Sequence, residues 1–364
     1  MEIDLDQFKF RDEDKAKQII KEIDEADIEL TLMHVCGTHQ DTLVRHGLDP
    51  MLRDVGVRIK QGPGCPVCVT TQREIEEIIK LAEEGITVTA FGDMMRVPGE
   101  ESSLMDAKSK GADVRIVYSI DDAVDIAEKT DNEVVFMSVG FETTVPATAN
   151  VISKNPPENF SILASNRVIP PALKAILEMG EVKLDGLIEP GHVSVIIGSK
   201  PYEPLSEKYN IPQVVTGFEP LDLLLGVLFI VRQIQEGRAE VENEYDRVVK
   251  PDGNPKAKKV INEVFEPFDI KWRGFPNIPD SGLKLKEKYD QYSARKKFKD
   301  ILEPLKDKEF KEPEGCRCGE VLRGLIESQE CPLFGEVCKP SNPVGACMVS
   351  REGSCNIEYR YGSD

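Results

Sequence analysis

From residue 29 onward, apolar runs of about five or six residues alternate with helical stretches, a pattern that calls for parallel sheets covered by helices on both faces. The first series of runs is Glu29 to Val35, Val55 to Lys60, Ile86 to Gly92 and Val114 to Ser119. Helical patterns near 40–47, 71–84 and 101–110 separate them. A second series follows at Glu133 to Gly140, Phe160 to Ser165, Lys183 to Pro190, Val193 to Gly198 and Pro212 to Gly217. The spacing suggests two similar parallel-sheet α/β modules in tandem, 1–118 and 119–245, facing each other across a cleft. The apolar stretch Leu221 to Ile234 reads as a buried helix ending the second module. Beyond it proline, glycine and lysine rise and strand signals fade, so 246–364 reads as a smaller, irregular C-terminal region. Such a region buries little apolar surface and usually needs a metal or cluster to hold it.

Charge narrows the possible partners. Among 364 residues, 65 are acidic and 46 are Lys or Arg, giving a net charge of −19. That balance opposes nucleic acid or an anionic membrane as partner, while metal cations and basic proteins stay compatible. The longest apolar run, Leu223 to Val231, has nine residues and is too short to span a bilayer. The N-terminus, MEIDLDQFKFRDEDK, is charged from its second residue and does not read as a secretory signal, so a cytoplasmic protein is expected.

Nine cysteines in such a chain are not expected to form a disulfide framework. Cys36, Cys65 and Cys68 lie in the first fifth; the other six fall in the last fifty residues. Two separate pieces of sulfur chemistry are implied.

Ligands of open α/β sheets gather where strands end. Those positions carry CGTHQ (Cys36 to Gln40), QGPGCPVC (Gln61 to Cys68), FGDMMRVPG (Phe91 to Gly99), GFETT (Gly140 to Thr144), EPGHVS (Glu189 to Ser194) and GFEP (Gly217 to Pro220). Cys36 stands where a strand gives way to a helix, whose amide dipoles are expected to lower the thiol pKa. His39 follows on the same helical face. Together they suit a soft-metal site or an activated nucleophile, against a bland reading as a buried cysteine beside a capping histidine. Cys65 and Cys68 form a C-x-x-C pair on a Pro/Gly loop, suited to two-electron thiol redox or to half a zinc site. Asp93, Glu142 and His192 are candidate cleft-lining residues; each could equally satisfy local backbone groups. The GFETT threonines could simply cap a helix. Met94 and Met95 read as core. No Gly-rich phosphate motif is present, so no nucleotide site is expected.

The tail reads C-x-C-x12-C-x6-C-x8-C-x7-C. The spacings lack zinc-knuckle regularity and fit an iron–sulfur cluster better than zinc. Spacing alone does not say which four of the six cysteines would be ligands.

In their order, CGTH, GPGCPVC, FGDMMRVPG, GFETT, EPGHVS-x-IIG and GFEP, followed by the tail C-x-C-G…C-x-LF-x3-C…G-x-CMVS-x-EG-x-C, resemble the HypD family of NiFe-hydrogenase maturation factors. The likeness runs from about residue 33 to the end. One departure is His34, where the family carries an acidic residue. The resemblance implies a scaffold that joins the small chaperone HypC and carries iron while it becomes an Fe(CN)2CO unit, with cyanide delivered as a thiocyanate by HypE. It further implies Cys36 as iron ligand and Cys65/Cys68 as the redox pair, with His39 tuning Cys36 or donating a proton. For the tail it implies a 4Fe-4S cluster on Cys316, Cys331, Cys338 and Cys355, leaving Cys318 and Cys347 as a disulfide candidate. A rival from a different class is a free-standing iron–sulfur thiol-disulfide oxidoreductase acting on a protein disulfide.

Overall fold

The computed structural model describes residues 12–362, so the charged N-terminal stretch lies, through residue 11, outside the described residues. Strands β1 (Leu30–His34), β2 (Val57–Gln61), β7 (Gly186–Pro190), β8 (Gln213–Thr216) and β9 (Val241–Asn243) form one sheet in the order β2-β1-β7-β8-β9. Strands β3 (Thr87–Ala90), β4 (Val114–Ile116), β5 (Val134–Gly140) and β6 (Phe160–Asn166) form another, in the order β4-β3-β5-β6. Every pairing in both sheets is parallel. The α/β architecture with two parallel sheets is therefore as the alternation of runs implies.

The arrangement in the chain is different. The second sheet is inserted between β2 and β7 of the first, so the modules interleave rather than follow in tandem. The boundary read at 118/119 falls between β4 and β5, two members of one sheet. Periodicity reveals that a run is a strand but not which neighbour it will pair with, and β1 bonds to β2 on one edge and to β7 on the other.

Two further differences follow from local chemistry. The run Val193 to Gly198 is not a strand but part of the helix Gly191–Ile197. Short apolar runs are ambiguous, and here Pro190 caps the helix start while the Ser194 hydroxyl bonds back to the Pro190 carbonyl at 2.9 Å. The C-terminal region also holds a long antiparallel hairpin, β10 (Phe265–Lys271) with β11 (Asn277–Leu285), which its Pro, Gly and Lys content hides.

Both sheets bury one face in a shared core. Met33, Leu187 and Val215 enter it from the first sheet, Val88, Val135 and Met137 from the second, and the C-terminal region adds Trp272, Leu322 and Met348. The opposite face of the first sheet packs on the helix Pro220–Gln235, buried almost all round as its composition suggests. In each sheet the chain reverses its winding beside one strand: between β1 and β7, and between β3 and β5. Those switch points are where loops part and leave a crevice. CGTH, EPGH, FGDMM and GFETT follow these four strands.

Candidate functional site

Cys36 caps the helix Gly37–Arg45 with an extended backbone, φ −145° and ψ 127°. Its sulfur accepts main-chain N–H groups of His39 and Thr38, which favour the thiolate. Burial acts more strongly, since Cys36 is only 8% exposed, and pushes the free thiol up to about 11. The expected lowering by the helix is thus present as a direction but outweighed. His39 is fully buried and neutral, its pKa pushed down to about 3 by burial and then by the neighbouring His34 and His192. Its Nε2–H faces the Gly217 carbonyl at 3.0 Å, which leaves Nδ1 a bare buried acceptor without a partner. So His39 reaches Cys36 through its backbone rather than through a charged ring.

His34 begins a chain of hydrogen bonds that reaches the C-terminal helix. The Cys36 N–H donates to His34 Nδ1 at 3.3 Å, so Nε2 carries the proton and donates to Gln40 Oε1 at 2.8 Å. Gln40 in turn donates to Glu358 Oε1 at 2.7 Å. This relay links His34 to a carboxylate on the C-terminal helix Ser354–Tyr361.

The GPGC loop lies directly on CGTH. Gly62 N–H donates to the His34 carbonyl at 2.8 Å and Gly37 N–H to the Gly64 carbonyl at 3.2 Å. A β-carbon on Gly64 would sit 2.2 Å from the Cys36 nitrogen, so this position requires glycine for close approach. Cys65 and Cys68 are joined as a disulfide at either end of the first turn of the helix Pro66–Val69, and neither exposes any surface. Arg273, in the turn of the β10–β11 hairpin, holds the end of that helix: its N–H donates to the Val69 carbonyl at 2.8 Å and its Nε to Thr70 at 3.0 Å.

The tail reaches the same place from below. Cys68 Sγ lies 4.0 Å from the carbonyl of Ala346, next to Cys347. The thiol of Cys347 is shared in hydrogen bonds with Cys318 and Cys355, and Cys318 also bonds Cys316. A β-carbon on Gly345 would lie 2.5 Å and 2.6 Å from the sulfurs of Cys318 and Cys316. Cys338 joins the group electrostatically and accepts the Val344 N–H at 3.3 Å. Cys331 Sγ lies 4.0 Å from the carbonyl of Gly315, the residue before Cys316. All six are free thiols. The disulfide suggested for Cys318 and Cys347 is not formed; Cys347 sits between two thiol neighbours rather than closing on one.

Over residues 13–362 the chain matches the HypD family model, described as the hydrogenase formation hypA family. The chain belongs to the HypD family. A protein of Methanocaldococcus jannaschii named for hydrogenase expression and formation is 51% identical over 96% of this chain and 95% of its own length. The hydrogenase maturation factor HypD2 of Bradyrhizobium diazoefficiens is 45% identical over 97% and 96%, and the HypD of Cupriavidus necator 42% over 91% and 89%. The chain is a hydrogenase maturation factor of this family.

The cleft-lining candidates of this HypD-family chain divide. Asp93, half-buried, accepts the Ser350 hydroxyl at 2.9 Å and so ties the second sheet to the tail. Glu142 is buried; its Oε1 accepts the Ile169 N–H at 2.9 Å and its Oε2 has no partner. His192 is exposed and stacks on Phe218 at 3.7 Å, with His39 on the ring's other neighbour position at 5.1 Å. Met94 and Met95 are core, each 1% exposed. Sequence reasoning missed Glu352, whose backbone lies against Gly37, whose charge acts on Cys36 and whose own pKa is raised by burial and then by Asp93. It also missed Glu189, fully buried with both carboxyl oxygens unpartnered. The signal was present in EPGH, since an acid ending a strand of otherwise apolar residues has no obvious solvent. Among the described residues no three His, Cys, Asp or Glu side chains converge to hold a single metal ion, and no helix is long and apolar enough to cross a membrane.

Proposed function

We propose that this maturation factor is the scaffold on which iron becomes an Fe(CN)2CO unit, held by Cys36 together with a HypC partner and served by the Cys65/Cys68 pair. The observation that carries the reading is the close stacking of GPGC on CGTH, where Gly64 meets the Cys36 backbone without room for a side chain. That contact brings the C-x-x-C loop up to Cys36, which supports a two-electron role for the pair at that sulfur.

Iron is the cargo in this reading. A thiolate anchor suits iron carrying cyanide and carbon monoxide, and iron binding would displace the thiol proton that burial otherwise retains. A thiocyanate presented by HypE is reduced at its S–C bond. The Cys65/Cys68 dithiol closes to the disulfide and gives up two electrons and two protons; cyanide passes to iron, the partner sulfur leaves as a thiol with one proton, and the other proton is released.

The tail offers thiols without histidine or carboxylate at their centre, a donor set that suits an iron–sulfur cluster and not a hard cation. Cys316, Cys331, Cys338 and Cys355 would hold it, and when bound it would supply electrons one at a time.

The test replaces both thiols of the pair. Hydrogenase activity in cells carrying Cys65→Ala/Cys68→Ala should be lost along with cyanide transfer to the HypC complex; normal assembly of the dicyanide iron unit would refute the redox role.

A further inference from the structure

The Cys65–Cys68 disulfide has no exposed surface. Opening it in an apolar interior takes two electrons and also two protons, because a pair of adjacent buried thiolates is strongly disfavoured. Protons must come from groups already inside.

Glu189 is placed for this. It belongs to β7, and the register Met33↔Leu187, His34↔Ile188 sets it beside Val35, one residue before Cys36. Side chains alternate along a strand, so Glu189 shares the face of Met33, Leu187 and Val215, which enter the same core as Cys65 and Cys68. The GPGC loop covers that face: a β-carbon on Gly62 would lie 2.8 Å from Val35 Cγ1 and 2.9 Å from Met33 Sδ. Neither carboxyl oxygen of Glu189 has a hydrogen-bond partner. From the other sheet comes Glu142, 4% exposed, with Oε2 also unpartnered. Tyr202 feels the charge of Glu189, Glu142 and Cys36, and its hydroxyl lies 3.1 Å from Ser194 Oγ. Among the described residues no cation acts on either carboxyl. Burial alone raises Glu189, and burial, partly offset by main-chain N–H groups, lifts Glu142 to about 7.

We propose that Glu189, with Glu142 across the core between the sheets, is the internal proton donor to the Cys65–Cys68 pair when it is reduced. The step balances with a low-potential one-electron carrier as reductant. Two reduced viologens each give one electron and the S–S bond breaks. Glu189 protonates one sulfur and Glu142 the other, leaving two thiols, two carboxylates and two oxidised viologens; solvent then restores the carboxyls. The inference rests on the reading that this pair cycles between disulfide and dithiol.

The test uses the full-length chain under anaerobic conditions with reduced methyl viologen. Samples are quenched in acid and alkylated, and the Cys65/Cys68 peptide is followed by mass. In Glu189→Gln, which keeps the shape but holds no acidic proton, reduction should slow at least about tenfold. Its rate should then follow bulk hydronium, changing about tenfold per pH unit, while the wild type stays flat over about pH 5.5 to 6.5. A purely structural glutamate would move neither readout. Should Glu189→Gln not fold, Glu142→Gln carries the same test with the same threshold. A folded variant reduced at the wild-type rate with wild-type pH dependence overturns the proposal and leaves the functional reading intact. A wild-type disulfide that never opens under viologen defeats the functional reading itself.

Discussion

Replacing Gly64 by alanine tests how tightly the two N-terminal motifs must stack. The added β-carbon would lie 2.2 Å from the Cys36 nitrogen and 2.5 Å from both its Cα and the Val35 carbonyl carbon. All three are backbone atoms, so no side chain can rotate away. Relief to ordinary contact requires the GPGC loop to lift by ~1.2 Å in a core packed at crystal-like density. Overpacking of this kind costs about 1–3 kcal/mol, and the upper end applies where only backbone can yield. A displacement near 1 Å between reacting groups costs on the order of 100-fold in rate. The control is Gly92→Ala, where the new carbon meets only Ile116 Cγ2 at 3.9 Å. Urea unfolding should place Gly64→Ala about 3 kcal/mol below the wild type, with Gly92→Ala within ~0.5 kcal/mol. Hydrogenase maturation in cells should fall about 100-fold for the first variant and stay near normal for the second. Equal stability and maturation in both variants would refute the claim that the motifs must touch.

Other expectations concern charge and support. Glu74 lies buried against Arg167 at 2.5 Å; burial opposes its charge, but Arg167 and Arg295 hold its carboxyl down at about 2. A depressed carboxyl adds stability above its unfolded pKa, so that share should vanish as pH falls from about 4.5 to about 2. Arg167→Ala should cost about 3–5 kcal/mol in urea unfolding by stranding the charge; a loss under ~1 kcal/mol contradicts this. With its thiol pushed up to about 11 from 9.0, metal-free Cys36 should react with iodoacetamide near neutral pH at least ~100-fold more slowly than an exposed cysteine. Peptide mass analysis showing the exposed rate would disprove that burial dominates the helix amides. Arg273→Ala should destabilise by about 1–3 kcal/mol, because the Thr70 carbonyl at the end of the C-x-x-C helix loses its donor; an unchanged urea midpoint would argue against the clamp.

Much of this was legible in the residues. Runs such as Val134–Gly140 and Phe160–Asn166 are apolar on both faces, as buried parallel strands must be, and the capping box at Thr71 and Glu74 marks a helix start. Pairing partners were not legible, because a parallel strand chooses its neighbour through crossovers that leave no local trace. That is why β7 returning to β1 came as a structural finding. The helix Gly191–Ile197 hid for another reason: seven residues are too few for a period of 3.6 to separate from a period of 2. Motif spacing singled out Cys36, Cys65 and Cys68, but the direction of the Cys36 shift depended on burial, a property of the assembled core. Glu189 and Glu352 escaped notice because only the fold buries the one and sets the backbone of the other against Gly37, next to Cys36. His34 became intelligible only with Glu358, more than three hundred residues away in the chain.

Infrared absorption of the chain purified with its HypC partner tests the central claim most directly, read in the region of cyanide and carbonyl stretches bound to iron. The account predicts those bands in the wild-type complex and their disappearance in Cys36→Ala, with the complex still formed. Bands of undiminished intensity without the Cys36 sulfur would contradict it.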